Sequence, residues 1–291
     1  MLSYHTSGGL GGSARVGASL IDAVLLGTGT SAGVPFLGCN CPVCTSPDPR
    51  NQRLRSSVWL HDEQRSIILD CGPDFRQQAL RAGIPRVDAV VLTHEHFDHI
   101  FGLDDLRLYI LRARQPMPIL GDAVTLDCVS RVFAYAFDGV DNGSFKPRFD
   151  LVLVPNFDDA FAVAGVRFEP LPVEHGNLTV LGLRIGDFAY VPDCKRVPEA
   201  TLARMAGLDT LVIDGLRHTP HNNHMSRDEA LEVIAQVRPR SSWLTHLTHE
   251  YDHERDEANL PEGVKLAYDG LTLPVTGNWS SASANCAPSS P

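Results

Sequence analysis

The chain has 291 residues, 43% hydrophobic and 21% charged, with 35 acidic against 25 basic side chains and a formal net charge of −10. This is the composition of a globular chain with a sizeable core, and its length permits one large α/β domain or two smaller ones. It argues against three classes: an acidic surface repels phosphate backbones, no apolar run reaches the roughly 18 residues of a membrane span, and seven cysteines, an odd number with four of them widely scattered, do not make a small secreted disulfide framework.

In chain order, the first 20 residues are rich in Gly, Ser and Ala and lack a basic start and an apolar block. They read as a disordered leader, not a signal peptide, and the cytoplasm is the default location. "AVLLG" (23–27) reads as a strand, and "GCNCPVC" (38–44) then packs Cys39, Cys41 and Cys44 into six residues. Three thiols cannot pair among themselves without leaving one over. They form a redox site or three ligands of a metal, and in a reducing compartment the metal is favoured. The basic run at 50–55 reads as a solvated loop. "SSVWL" (56–60), "SIILD" (66–70) and "VDAVVLT" (87–93) continue the strands, with a helix over 74–83 closed by Gly83.

Beyond about residue 150 the pattern resumes, with strands at "LVLV", "VRFEPLPV", "LTVLGLRI", "FAYVP", "TLVID" and "SWLTH". "PEATLARMAG" (198–207) reads as a helix, and "SRDEALEVIAQV" opens on a capping box of Ser226 and Glu229. No Gly-, Ser- or Pro-rich linker divides the chain. The expectation is one two-sheet domain over 21–277 and a disordered tail over 278–291.

The strongest signal is "THEHFDH" (93–99), where an apolar strand runs into His94, His96, Asp98 and His99. Side chains alternate along a strand, so His94 and His96 face the same way and can share one metal. Asp98 and His99 lie past the turn and can address a second ion about 3.5–4 Å away. This stretch resembles the His-x-His-x-Asp-His signature of the metallo-β-lactamase superfamily. The resemblance extends to His175 in "PVEHGN", Asp193 in "FAYVPDC", His246 in "SWLTHLTHE" and the structural Asp70 in "IILDCG", covering about residues 23–275. It implies an α/β fold, an αββα sandwich of two mixed sheets flanked by helices. It also implies a dinuclear centre, with His94, His96 and His175 on one metal, Asp98, His99 and His246 on the other, and Asp193 bridging.

With those histidines assigned, His249 is left as the fourth ligand of a structural Cys₃His zinc with Cys39, Cys41 and Cys44. That pairing, with "GTGTSAGVP", "DHIFGLDDLR" and "HNNHMS", resembles the PhnP-like phosphodiesterase subgroup. By that likeness His224 approaches the scissile phosphate as a catalytic group beside Asp98, His218 and His221 are surface or supporting histidines, and Asp214 orients a metal ligand. The implied reaction is hydrolysis of a small or cyclic phosphodiester by hydroxide shared between two divalent ions, Zn²⁺ or Mn²⁺. The competing readings are a tRNA 3′-end endonuclease, a thioester or lactam hydrolase of the same fold, and a non-catalytic accessory protein of cofactor synthesis. Between His175 and Asp193 only "GNLTVLGLRIGDFAYVP" intervenes, too short to hold an arm for tRNA. A small phosphodiester is therefore the expected partner, with no nucleic acid and no membrane; a homodimer is left open.

Overall fold

Runs of β-branched and aliphatic residues set the strands, and burial on both faces sets their near-continuous hydrophobicity. The computed structural model describes residues 19–140, 143–154, 156–277 and 279. Among them β1 (Ser19–Gly27), β2 (Ser57–His61), β3 (Ser66–Leu69), β4 (Ala89–Val91), β5 (Met117–Gly121) and β6 (Phe149–Leu153) lie side by side in chain order. A second sheet follows from β7 (Phe161–Val163), β8 (Val166–His175), β9 (Leu178–Ile185), β10 (Phe188–Val191), β11 (Thr210–Asp214), β12 (Ser241–Thr245) and β13 (Val264–Leu266). The last strand, β14 (Thr272–Gly277), returns to the first sheet and pairs antiparallel with β1. Each seven-stranded sheet is mixed: its hairpin strands run antiparallel, and β3 to β6 or β10 to β13 run parallel.

Alternation along each strand divides the apolar side chains between two layers. Leu25, Leu60, Ile67, Val91, Leu183 and Tyr190 are buried between the sheets. Trp59, Ile68 and Val90 point the other way, onto α1 (Phe75–Ala82) and, beyond the short α2 (Phe97–Ile100), onto α3 (Arg107–Ala113) and α4 (Ala123–Val132). The second sheet is covered likewise by α5 (Glu199–Arg204) and α6 (Arg227–Val237), through Val191, Ile213, Val233 and Ile234; α7 (His253–Glu257) follows β12. The result is the expected four-layer αββα sandwich, in which each fully buried aliphatic side chain contributes roughly 1.5–3 kcal/mol. No helix of the described residues is long and apolar enough to cross a membrane.

Three expectations change. The leader boundary at residue 20 falls inside β1, because Ser19 and Leu20 pair with Gly277 and Thr276. Trp279, expected in the tail, packs against the inter-sheet core; the rest of both terminal segments lies outside the described residues. The basic run at 50–55 is not a solvated loop: Arg53 is 1% exposed and donates to the carbonyls of Thr248 and Tyr251 and to Asn51. Arg55 is paired with Asp74. Strands β5, β7, β13 and β14 went unread because they are short or carry a proline, which weakens a strand pattern.

Candidate metal centre

The residues that could hold metal stand just beyond the carboxyl ends of strands. His94, His96, Asp98 and His99 follow β4, His175 ends β8, and Asp193 and His246 follow β10 and β12. Parallel neighbours end on the same edge of a sheet, so the fold gathers residues up to 152 positions apart at one rim (His246 minus His94). His94, His96, His175 and Asp193 each present a ligand atom within 4.8 Å of the others, and so do Asp98, His99 and His246. Asp193 spans the two groups, with Oδ2 3.8 Å from His94 Nε2 and Oδ1 3.2 Å from His99 Nε2 and 3.3 Å from His246 Nδ1.

These groups are arranged to accept a cation. Asp98 Oδ2, His99 Nε2 and Asp193 Oδ1 are buried without a hydrogen-bond partner, which is costly unless something positive lies among them. His94 Nε2 and His96 Nδ1 stand 2.9 Å apart, lone pair against lone pair unless a proton or metal intervenes. Burial holds the imidazoles of His94 and His175 below their usual range and His246 down to about 4, leaving all three in the neutral, ligating form at pH 7. Burial would raise Asp193, but His246, His99 and His94 around it hold its carboxylate well below the ordinary value.

A surrounding set of hydrogen bonds fixes the rings. Asp70 adopts a left-handed backbone at φ 60°, and it accepts from Thr93 N at 2.8 Å and from His99 Nδ1 at 2.8 Å. His99 is thereby turned so that Nε2 faces Asp98 and Asp193. The turn after Asp70 needs glycine, because a Cβ on Gly72 would stand 1.9 Å from the Asp98 carbonyl oxygen. His175 Nδ1 donates to the Asn223 carbonyl at 2.8 Å, and Ser56 Oγ lies 3.2 Å from His246 Nδ1. Asn223 and Ser56 carried no sequence signal of these roles, since both contacts bridge residues far apart in the chain.

His224 approaches the same space from the loop before α6, with Nε2 3.9 Å from Asp193 Oδ2 and its ring stacked 4.9 Å from that of His246. Its Nδ1 donates to Asp214 Oδ2 at 2.7 Å. Burial alone would lower its pKa, but the Asp214 carboxylate raises it to about 9. Asp214 accepts from His224, which is itself grouped with Asp193 and His246, and from the backbone N–H groups of Cys194 and Leu216. The capping box of Ser226 and Glu229 fixes the start of α6, Met225 N donates to the Cys194 carbonyl at 2.7 Å, and the Asn223 carbonyl accepts from His175 Nδ1, so the loop is anchored on both sides of the imidazole. His218 faces Tyr251 and Asp256 and His221 lies beside His224, neither among the grouped ligand atoms.

A separate cluster forms where the early loop meets the turn after β12. The sulfurs of Cys39, Cys41 and Cys44 lie 3.4, 3.7 and 3.3 Å from His249 Nδ1. No disulfide joins them. Phe36 stacks on the His249 ring at 3.9 Å, and Arg53 clamps the same turn from beneath through Thr248 and Tyr251. One nitrogen facing three thiols suits a closed tetrahedral zinc.

Residues 65–247 match the family described as beta-lactamase superfamily domain. The chain belongs to that superfamily. A solved structure of a diphosphatase from the PhnP family is 36% identical at a TM-score of 0.82, over 89% of this chain and 98% of that one, and marks the present chain as a PhnP-like member. An octanoyltransferase from Porphyromonas gingivalis is 39% identical over 85% of the chain, which spans 50% of that relative's length. Coenzyme PQQ synthesis protein B from Methylobacterium radiotolerans is 30% identical over 86% of the chain and 98% of its own length. The superfamily is one of metal-dependent hydrolases, and this member carries residue groups able to hold divalent ions.

Proposed function

We propose that the protein is a dinuclear metal-dependent phosphodiesterase acting on small or cyclic phosphodiesters. The observation that carries this is the placing of His224, braced by Asp214, within 4.8 Å of Asp193 and His246, at the edge of two ligand groups that meet at Asp193. In this reading His94, His96 and His175 would hold one ion, Asp98, His99 and His246 would hold the other, with Asp193 a ligand shared by both; Cys39, Cys41, Cys44 and His249 would hold a structural zinc. Two bound divalent cations would supply a water acidified to near-neutral pKa and positive charge for the phosphoryl oxygens. The chain's own residues do the rest. Asp214 keeps a proton on His224 Nδ1 and sustains positive charge on the ring. Nε2–H can then donate to a phosphoryl oxygen or protonate the departing alkoxide. Asp98 contributes as a ligand and by its negative charge beside His99.

Phosphoryl chemistry is supported further by the PhnP-family diphosphatase likeness. A tRNA-processing role is disfavoured by the passage from His175 to Asp193, which is two tight hairpins turning at Gly176 and Gly186 with no inserted arm. Protein with its metals quantified should turn over a small cyclic or aryl phosphodiester faster than it cuts a precursor tRNA, a thioester or a lactam. Efficient tRNA 3′ cleavage with slow diester turnover would overturn the reading. The likeness to coenzyme PQQ synthesis protein B favours a second reading as an accessory of cofactor synthesis, which measurable diester turnover would reject.

A further inference from the structure

Phe97 sits between His96 and Asp98, yet its side chain does not enter the core: it is 48% exposed. Phe101, one helical turn on and 42% exposed, meets it at 4.6 Å between ring centroids. Exposed apolar residues are ordinary one at a time, but contiguous aromatic surface beside a reactive centre is not. The Arg55 guanidinium lies over the Phe97 ring at 5.9 Å and is held there by Asp74 and by the Ser31 carbonyl, each at 2.9 Å. Arg55 adjoins Ser56, the neighbour of His246, so this cation and this ring link the loops carrying ligands of both groups. A rim both aromatic and cationic, beginning within one residue of two ligand side chains, complements a ligand both aromatic and anionic.

We propose that Phe97 and Phe101, with Arg55 beside them, form a base-stacking subsite, so that the substrates are small phosphodiesters bearing a nucleobase. This rests on the phosphodiesterase reading and names its substrate class. The phosphoryl group would lie among the metal-binding residues and His224, while the base lies against the two phenyl rings. Stacking on an aromatic side chain is tolerant of base identity, so discrimination among bases should be weak.

The test compares adenosine 5′-monophosphate with ribose 5-phosphate, which share sugar and phosphate and differ by the base. Both are titrated calorimetrically into metal-loaded wild type, Phe97→Ala, Phe101→Ala and Phe97→Tyr, with metal content measured on each. Wild type should favour the nucleotide by about tenfold. Either alanine variant should bring the ratio close to one, and Phe97→Tyr should restore it. Phe101→Ala serves if Phe97→Ala loses metal, since Phe101 lies further from the ligands. A wild-type ratio near one, or a ratio unchanged in Phe101→Ala, overturns the subsite. So does a change from dimer to monomer in sedimentation with the ratio intact, which would make this face an interface between copies. Wild type that hydrolyses diesters without base preference removes only this inference; wild type that hydrolyses no diester removes the proposed function as well.

Discussion

Asp214 shows how much one buried carboxylate can decide. It lies at the end of β11 with no exposure to solvent, and its bond to His224 lets an imidazole near the ligand groups keep a proton at neutral pH. His224→Ala should therefore lower diester turnover about 10²–10⁴-fold while metal content stays constant, assayed by elemental analysis on the same samples. Asp214→Asn keeps the shape but removes the charge; the expected loss is about 10–100-fold, with the pH–rate profile displaced as His224 loses its stabilised proton. Parallel loss of metal and activity in His224→Ala would make His224 a ligand instead. At this scale the sequence was most legible where partners are close. His94, His96, Asp98 and His99 announce themselves within six residues, whereas the His224–Asp214 pair depends on the chain leaving β11 and turning back over ten residues.

Among the elements, α6 is the one whose start a capping box spells out in advance. Ser226 Oγ accepts from Glu229 N, and Glu229 Oε2 accepts from Ser226 N, the reciprocal pattern that "SRDE" spells out. Ser226→Ala should cost about 1 kcal/mol in urea unfolding. Its effect on turnover should exceed that share of stability, because His224 hangs from the same turn. The cysteine loop behaves differently. Its thiols were legible, but not Arg53 below them, since a basic run carries no sign that one member will be buried against two carbonyls. With all four positions filled by protein, a zinc held by Cys39, Cys41, Cys44 and His249 should resist mild chelation that would strip ions from the two groups meeting at Asp193. Cys44→Ser should lose about one zinc per chain. Equal loss from both classes under chelation would contradict a closed site.

Seen whole, the molecule was legible as two sheets and outer helices because period-two patterns and capped helices alternate along the chain. The closing move was not: β13 is short, β14 carries Pro274, and that β14 returns to β1 depends on long-range packing. That return brings Asp269 into the body of the fold, where it accepts from Thr28 Oγ1 and Leu54 N, both at 2.8 Å. Burial raises its pKa to about 6, against a pull downward from Leu54 N–H and Arg81. A raised acid favours the protonated fold: its share of stability is full below the ordinary value of 3.8 and is lost as the pH climbs through about 6. Asp269→Asn should remove that slope, so the wild-type advantage over the variant in urea midpoint should shrink between about pH 4 and pH 7. A widening gap would contradict the assignment. On the proposed ligand set, each ion of the pair is gripped from both sheets: His94 and His96 with His175 and Asp193 in one case, Asp98 and His99 with His246 and Asp193 in the other. Ions so held would act as rivets through the two halves of the sandwich. Free metal concentration becomes a variable of folding by mass action. A chelator would then lower the stability of this molecule, and because Asp193 lies beside both ligand groups, holding a first ion would help set the place of a second.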